Sequence, residues 1–129
     1  MEPNPADYGT NFLTHMKSAI EFVKACDHSK IKLNFDLGAL KMNDEFDLIS
    51  DFSANAEQYI SHVHISNPFL KPVDQDSRVE DILRAFENLD YDQYFSIEMR
   101  QSEAEPLTHV KAAAETLAKA SHSIFGRSR

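Results

Sequence analysis

The stretch ISHVHI, residues 60–65, alternates apolar and polar side chains and gives the clearest indication of the fold. Val63 and Ile65 fall on one face of an extended strand, and His62 and His64 on the other, because successive side chains of a strand point in opposite directions. Two further stretches, 31–36 (IKLNFD) and 94–98 (YFSIE), repeat this alternation. Each predicted strand therefore has one apolar face and one polar face.

Longer segments with helical periodicity separate these strands, which is the pattern of an α/β protein with a parallel sheet and helices packed on it. The predicted helices are 11–26 with Thr10 as N-cap, 44–57 capped from Asn43, a helix after the capping-box pair Ser77 and Glu80, and one whose first turn holds Pro106. Parallel strands covered by helices on both faces are usually apolar throughout. The polar second face therefore favours a barrel interior or a site over a second layer of helices.

The composition limits the class of protein. The 129 residues suit one domain or a piece of a larger one, and with 42% apolar residues the chain can bury a core. A net charge of −8 disfavours nucleic acids and anionic membranes as partners. A single cysteine, three glycines and no long apolar run exclude an internal disulfide, a glycine-rich phosphate loop and a membrane span. Since the start does not resemble a signal peptide, we expect a cytoplasmic protein.

Four potential metal ligands occur at equivalent points of successive strand and helix units. Glu2 ends a fragmentary first strand at the start of the sequence, and Asp36 ends the strand 31–36. His64 lies one residue before the end of 60–65, and Glu98 closes 94–98. Their spacing is about 30 residues, the length of one strand plus its crossover helix. All four are therefore expected at the carboxyl edge of one sheet, where parallel α/β proteins place their active sites. Three carboxylates and one imidazole suit a divalent ion such as Mn²⁺, Mg²⁺ or Zn²⁺.

Other residues are candidates for binding a substrate at the same edge. These candidates are His62, Lys71, Arg100 and Asn4. His62 shares the polar face with His64, so either histidine could be the metal ligand. The two basic residues follow strand ends and could hold an anionic or hydroxyl-rich substrate, although a basic residue after a strand is usually only solvated.

Four motifs in order resemble a known family. They are EPNP with YGT within 2–10, FDLGAL at 35–40, HVHIS with Pro68 within 62–68, and YFSIEM at 94–99. Together they are similar to the xylose-isomerase-like (AP endonuclease family 2) barrel superfamily of sugar phosphate isomerases and epimerases. The resemblance runs nearly end to end. It implies a TIM-type (β/α)₈ barrel, with the motifs at the ends of its fifth to eighth strands.

The resemblance also implies roles for the four predicted ligands. Glu2, Asp36, His64 and Glu98 correspond to the metal ligands of the family, with the second histidine of the His-x-His pair as the ligating one. The implied reaction is the isomerisation or epimerisation of a small sugar or sugar phosphate through an ene-diolate. Glu2 and Glu98 would act as acid and base next to a carbonyl, while the metal stabilises the negative charge.

The sequence departs from the family pattern in two ways. Many members have a histidine three residues after the aspartate, where this chain has Ala39. This change, with the net negative charge, makes a metal-dependent DNA-repair endonuclease the weakest alternative. A whole barrel needs about 250 residues. Residues 1–125 are therefore expected to form the carboxyl-terminal half of a barrel, and 126–129 a frayed tail.

A half barrel leaves a sheet edge open for pairing. We therefore expect the chain to associate with itself or with an amino-terminal half barrel, and to need that half for activity. The alternative function is that of a catalytically inactive half domain, which would serve as an assembly or interaction module. Divalent metal binding distinguishes the two, because the inactive module is expected to bind metal weakly.

Overall fold

A computed structural model of the chain describes residues 1–49, 57–73, 77–101 and 106–126. Three parallel strands form one sheet in the order β1, β2, β3, and helices accompany it. The strands are β1 (Leu33–Asp36), β2 (Ile60–Ile65) and β3 (Phe95–Ile97). The α-helices are α1 (Met16–Cys26), α2 (Leu37–Met42), α3 (Ser77–Glu87) and α4 (Pro106–Phe125). The short 3-10 helices are Ala6–Tyr8, Phe46–Ile49, Glu57–Tyr59 and Pro68–Leu70. The α/β class and the parallel sheet are confirmed.

The register of the strands aligns their polar faces. Asp36 of β1 is paired with His64 of β2, which is paired in turn with Ser96 of β3. Asn34 and His62 are paired in the same way two residues earlier. Because side chains two residues apart lie on the same face of a strand, these residues form one continuous polar face.

The backbone of Met1 extends the sheet on the outer side of β1. Its amino group donates a hydrogen bond to the Lys32 carbonyl at 2.7 Å. Its carbonyl accepts one from the Asn34 N–H, also at 2.7 Å. Lys32 and Asn34 flank Leu33, so Met1 bonds to the residues on either side of the one that it faces. This is the hydrogen-bond pattern of parallel strands. This pairing places Glu2 beside the carboxyl half of β1.

The apolar face of the sheet packs against the helices and forms the core. The buried strand residues are Leu33, Phe35, Ile60, Val63 and Ile65. The buried helix residues of the same core are Met16, Ala19 and Val23 of α1, Leu37 and Leu40 of α2, Val79, Ile82, Leu83 and Phe86 of α3, and Ala113, Ala120 and Ile124 of α4. The rings of Phe35 and Phe86 meet edge to face with centroids 5.3 Å apart. Full burial of such a side chain contributes roughly 1.5–3 kcal/mol, which fixes the apolar face inward and leaves the polar face for chemistry.

Helix α1 begins later than predicted. It starts at Met16, and the side chain of His15 at the N-cap position makes no capping hydrogen bond. Glu45, which is remote in sequence, accepts the Met16 N–H at 3.0 Å instead. Thr10 as N-cap is wrong, because its hydroxyl donates to the Asn4 carbonyl at 2.6 Å. A tertiary contact thus replaces the expected local cap.

The helix predicted over 44–57 is wrong in its described part. Helix α2 follows β1 directly, because Asp36 accepts a hydrogen bond from the first turn of α2 and caps it. Asn43 is at the C-cap of α2 rather than at the start of a new helix. Phe46–Ile49 forms a short 3-10 helix, and residues 50–56 lie outside the described parts of the chain.

The last two predicted helices are confirmed, with α3 beginning at Ser77 and α4 at Pro106. The side chain of Ser77 is not among the described parts of the structure, so the capping box formed by Ser77 and Glu80 stays a prediction. Glu80 accepts a hydrogen bond from the Ser123 hydroxyl at 2.8 Å and so joins α3 to α4. The predicted frayed tail also lies outside the described residues, apart from Gly126. Among the described helices, none has the length and apolar character required to cross a membrane.

Candidate metal centre

The four predicted ligands meet at the carboxyl edge of the sheet. Each of Glu2, Asp36, His64 and Glu98 offers one ligand atom, and these atoms all lie within 4.8 Å of one another. The Nδ1 atom of His64 is 3.1 Å from a Glu98 oxygen, 3.7 Å from a Glu2 oxygen and 3.8 Å from an Asp36 oxygen. The four residues, which occupy equivalent points of successive strand and helix units in the sequence, therefore form one cluster in the structure.

Strand ends position each member of the cluster. Asp36 is the last residue of β1, and His64 is paired with it on β2. The Glu98 N–H donates to the Ile65 carbonyl at 3.0 Å, which continues the ladder one residue beyond β3. Glu2 directly follows the residue that pairs with β1. The backbone ladder thus holds all four residues at one edge.

Two hydrogen bonds fix the carboxylate of Asp36. Its Oδ1 accepts the Ala39 N–H at 2.6 Å, and its Oδ2 accepts the Ser66 hydroxyl at 2.7 Å. The Ser66 oxygen accepts in turn the Gly38 N–H at 2.7 Å. Asp36 is 6% exposed and Ser66 is 1% exposed. Buried hydrogen bonds to a charged group are stronger than neutral ones, so this carboxylate has one defined orientation.

The cluster is buried on one side and open on the other. Side-chain exposure is 9% for Asp36 and 20% for His64, but 34% for Glu2 and 40% for Glu98. The two glutamates therefore form the accessible side, from which a small molecule can approach.

Asn34 and His62 lie next to His64 on the polar face. The Asn34 amide nitrogen is 3.0 Å from Nδ1 of His64. The rings of His62 and His64 meet edge to face with centroids 5.0 Å apart, although His62 is not part of the four-residue cluster. The buried Oδ1 atom of Asn34 has no hydrogen-bond partner within the described part of the chain. A buried acceptor of this kind requires an explanation, and an ion or an ordered water at the site would provide one.

The other predicted substrate contacts lie outside the cluster. Lys71 and Arg100 are exposed, and the backbone N–H of Arg100 donates to the Leu70 carbonyl at 2.8 Å. Asn4 is half-buried, and its carbonyl accepts the Thr10 hydroxyl. Their roles in substrate binding stay predictions.

Tyr8 lies beside the cluster and forms an aromatic corner with Phe69. Its hydroxyl accepts the Phe69 N–H at 2.9 Å, and the two rings meet edge to face at 5.8 Å. Burial raises the pKa of Tyr8, and the charges of Asp36 and Glu98 add to this rise, although the Phe69 N–H opposes it. Phe69 and Leu70 have φ angles of 59° and 53°, a left-handed conformation that such residues seldom adopt. Strained turns of this kind often lie at functional sites, and neither of the two left-handed positions is a glycine or an asparagine.

The residues present fit a divalent cation. The ligand atom of His64 lies 3.1, 3.7 and 3.8 Å from those of the three carboxylates, near enough for one ion to contact all four residues. Carboxylates this close repel one another, and a cation removes that repulsion. Hard oxygen donors with one nitrogen are suited to Mn²⁺, Mg²⁺ or Zn²⁺.

Comparison with known proteins agrees with this geometry. Residues 1–120 match the family described as xylose isomerase-like TIM barrel. The chain belongs to this family, whose members are typically metal-dependent. The comparisons with curated proteins and with solved structures gave no match. The resemblance in the four motifs is thus confirmed, while their assignment to the fifth to eighth strands stays a prediction.

Proposed function

We propose that the protein serves in the metal-dependent isomerisation or epimerisation of a small sugar or sugar phosphate. One observation carries the proposal: two accessible carboxylates, Glu2 and Glu98, share a cluster with the more buried Asp36 and His64. Membership of the xylose isomerase-like family supports it.

The four clustered residues would hold the ion. Asp36 and His64 are the less exposed pair, and the fixed Asp36 carboxylate provides a rigid ligand. When bound, a divalent ion supplies positive charge that orients adjacent substrate oxygens and lowers the free energy of negative charge on them.

The glutamates would carry the proton transfers. One carboxylate takes the proton from the carbon next to the substrate carbonyl, and the electron pair of that C–H bond forms the carbon–carbon double bond of an ene-diolate. The other carboxyl group returns a proton to the neighbouring carbon in isomerisation, while a hydroxyl proton moves to the other oxygen. In epimerisation the proton returns to the opposite face of the same carbon. No atom is gained or lost overall.

The substrate would lie over the polar face and beyond the glutamates. Within this proposal, Lys71 and Arg100 bind a phosphate or hydroxyl groups, and His62 and Asn4 contact the sugar. Further strands would complete the pocket, from a second copy of the chain or from an amino-terminal half barrel. The three strands and the paired Met1 form one parallel sheet to which such strands can be added.

Calorimetric titration of Mn²⁺ into the metal-stripped full chain tests the metal centre. We expect micromolar or tighter binding, which Glu98→Gln weakens by about tenfold or more, because the amide removes one charge from the cluster. Glu115→Gln is the matched control, since Glu115 is exposed on α4, and it is expected to bind as the wild-type chain does. Equal binding by both variants would contradict the proposed centre.

Proton exchange tests the reaction. Aldoses, ketoses and their phosphates are incubated with the Mn²⁺-loaded chain in deuterium oxide, and loss of the carbon-bound proton next to the carbonyl is followed by NMR. We expect exchange with at least one sugar, and a large loss of exchange in Glu98→Gln. Weak metal binding together with no exchange would favour the inactive assembly module.

A further inference from the structure

We propose that Ser66 is a positioning residue that orients the Asp36 carboxylate for metal binding. This inference rests on the proposed function, because it concerns the same metal centre. Ser66 directly follows β2 and is 1% exposed. It lies outside the four-residue cluster, and its hydroxyl touches one member of that cluster.

The direction of both hydrogen bonds at Ser66 is fixed by chemistry. The Gly38 N–H can only donate, so the Ser66 oxygen accepts this bond, which is 2.7 Å long. A hydroxyl has one hydrogen, and an ionised carboxylate can only accept. The Ser66 hydrogen is therefore directed at Oδ2 of Asp36, 2.7 Å away.

This bond acts on the carboxylate oxygen that faces the cluster. Oδ2 of Asp36 is the oxygen 3.8 Å from Nδ1 of His64, whereas Oδ1 is occupied by the Ala39 N–H. Each carboxylate oxygen can accept two bonds, so Oδ2 keeps capacity for an ion. Without the Ser66 hydroxyl, the Ala39 bond alone would limit rotation of the carboxylate.

Gly38 allows Ser66 to lie close to the start of α2. A Cβ atom at Gly38 would lie 2.9 Å from the Ser66 oxygen and 2.9 Å from the Asn67 carbonyl oxygen, closer than real contacts allow. The absence of a side chain at Gly38 therefore lets the end of β2 approach the start of α2. Lys41 of α2 donates to the Asn67 side chain at 2.7 Å and holds the two segments together.

Titration of Mn²⁺ into Ser66→Ala tests this role at a temperature at which every variant is folded. Loss of a residue that hydrogen-bonds to a metal ligand typically lowers metal affinity by about 10–100-fold. We therefore expect the Mn²⁺ affinity of Ser66→Ala to fall by about tenfold or more. Ser61→Ala is the matched control, since Ser61 is exposed on β2, the strand that Ser66 follows, and its affinity is expected to stay within about twofold of wild type. The visible spectrum of bound Co²⁺, which reports ligand geometry, is expected to change in Ser66→Ala only.

The outcomes separate this role from a structural one. Wild-type affinity and an unchanged Co²⁺ spectrum in Ser66→Ala, with a lower melting temperature, would overturn the positioning role and leave the proposed function intact. Failure of the wild-type chain to bind Mn²⁺ would overturn both.

A measurement on the wild-type chain covers the case in which Ser66→Ala does not fold. During a Zn²⁺ titration, the NMR resonances of the Gly38 and Ala39 amides are expected to move with the same saturation curve as metal binding, because their acceptors are Ser66 and Asp36. A Gly38 resonance that stays in place through saturation would overturn the proposal.

Discussion

The Oε2 atom of Glu98 lies 3.1 Å from Nδ1 of His64, the shortest of the contacts that join this imidazole to the three carboxylates. The two residues come from different regions of the chain, and the parallel pairing of β2 with β3 brings them together. Since this nitrogen is within 4 Å of all three carboxylates, a change at His64 is expected to affect the whole cluster.

Replacing His64 tests its share in metal binding through stability. A ligand at about 100 times its dissociation constant stabilises the folded state by about 2.7 kcal/mol, so Mn²⁺ is expected to raise the melting temperature of the wild-type chain by several degrees. In His64→Gln this rise is expected to fall to less than half. His122→Gln, at an exposed position of α4, is the control and keeps the full rise. Differential scanning calorimetry measures it, and a full rise in His64→Gln would exclude this histidine as a ligand.

Glu45 is expected to stabilise α1 from a distance. Its Oε2 accepts the Met16 N–H at 3.0 Å and the Asn43 amide at 3.1 Å, so Glu45→Ala leaves the first turn of α1 without this acceptor. Loss of an N-cap contact costs about 1 kcal/mol, within a range of roughly 0.5–2. Urea unfolding is the measurement, with Glu21→Ala on the exposed face of α1 as control. A cost no larger than that of the control would show that the cap contributes nothing.

Phe86 is expected to be a key residue of the core. It is 0% exposed and its ring contacts those of Phe35, Tyr91 and Phe95, with centroids 5.0–5.9 Å away. Phe86→Ala therefore creates a cavity and is expected to lower the free energy of unfolding by about 3–5 kcal/mol. Phe12→Ala removes a ring that is 63% exposed and is expected to cost about 1 kcal/mol or less. Comparable urea midpoints for the two variants would contradict this assignment of the core.

Tyr91 makes the stability of the fold depend on pH in the alkaline range. Burial, with a smaller effect from the charge of Asp92, raises the pKa of Tyr91 to about 12. The unfolded chain releases this proton near its ordinary pKa of about 10, so its contribution is constant below pH 10 and is lost as pH rises towards 12. Absorbance at alkaline pH and urea midpoints along the same series measure both effects. Tyr91→Phe is expected to remove this part of the pH dependence, and an unchanged profile would refute the assignment.

Regular features of the fold could be predicted from the sequence. The alternation in 31–36, 60–65 and 94–98 predicted the strands and their two faces, because side-chain burial follows a period of two. The spacing of about one strand plus one helix predicted that four distant residues meet at one edge. Both inferences depend on regular geometry, because the period of a strand and the length of a strand and helix unit appear as regular spacings in the sequence.

Features that depend on tertiary contacts could not be predicted in this way. Helix α1 begins where Glu45 accepts the Met16 N–H, and α2 begins where Asp36 caps it. The contact between Ser66 and Asp36 joins residues far apart in the sequence and has no periodic signal. The left-handed backbone at Phe69 lacks the glycine that usually marks such a turn.

The position of Asp36, which ends β1 and caps α2, has a consequence for how this family can diverge. Selection for a folded chain is expected to retain this aspartate whether or not the metal centre is in use, because losing it would remove the side-chain cap of α2. Glu2 and Glu98 lie on the accessible side and cap no helix in the described residues, so drift can remove them more cheaply. Relatives without the proposed chemistry are therefore expected to keep the aspartate and to lose the glutamates, which makes the glutamates the better markers of that chemistry.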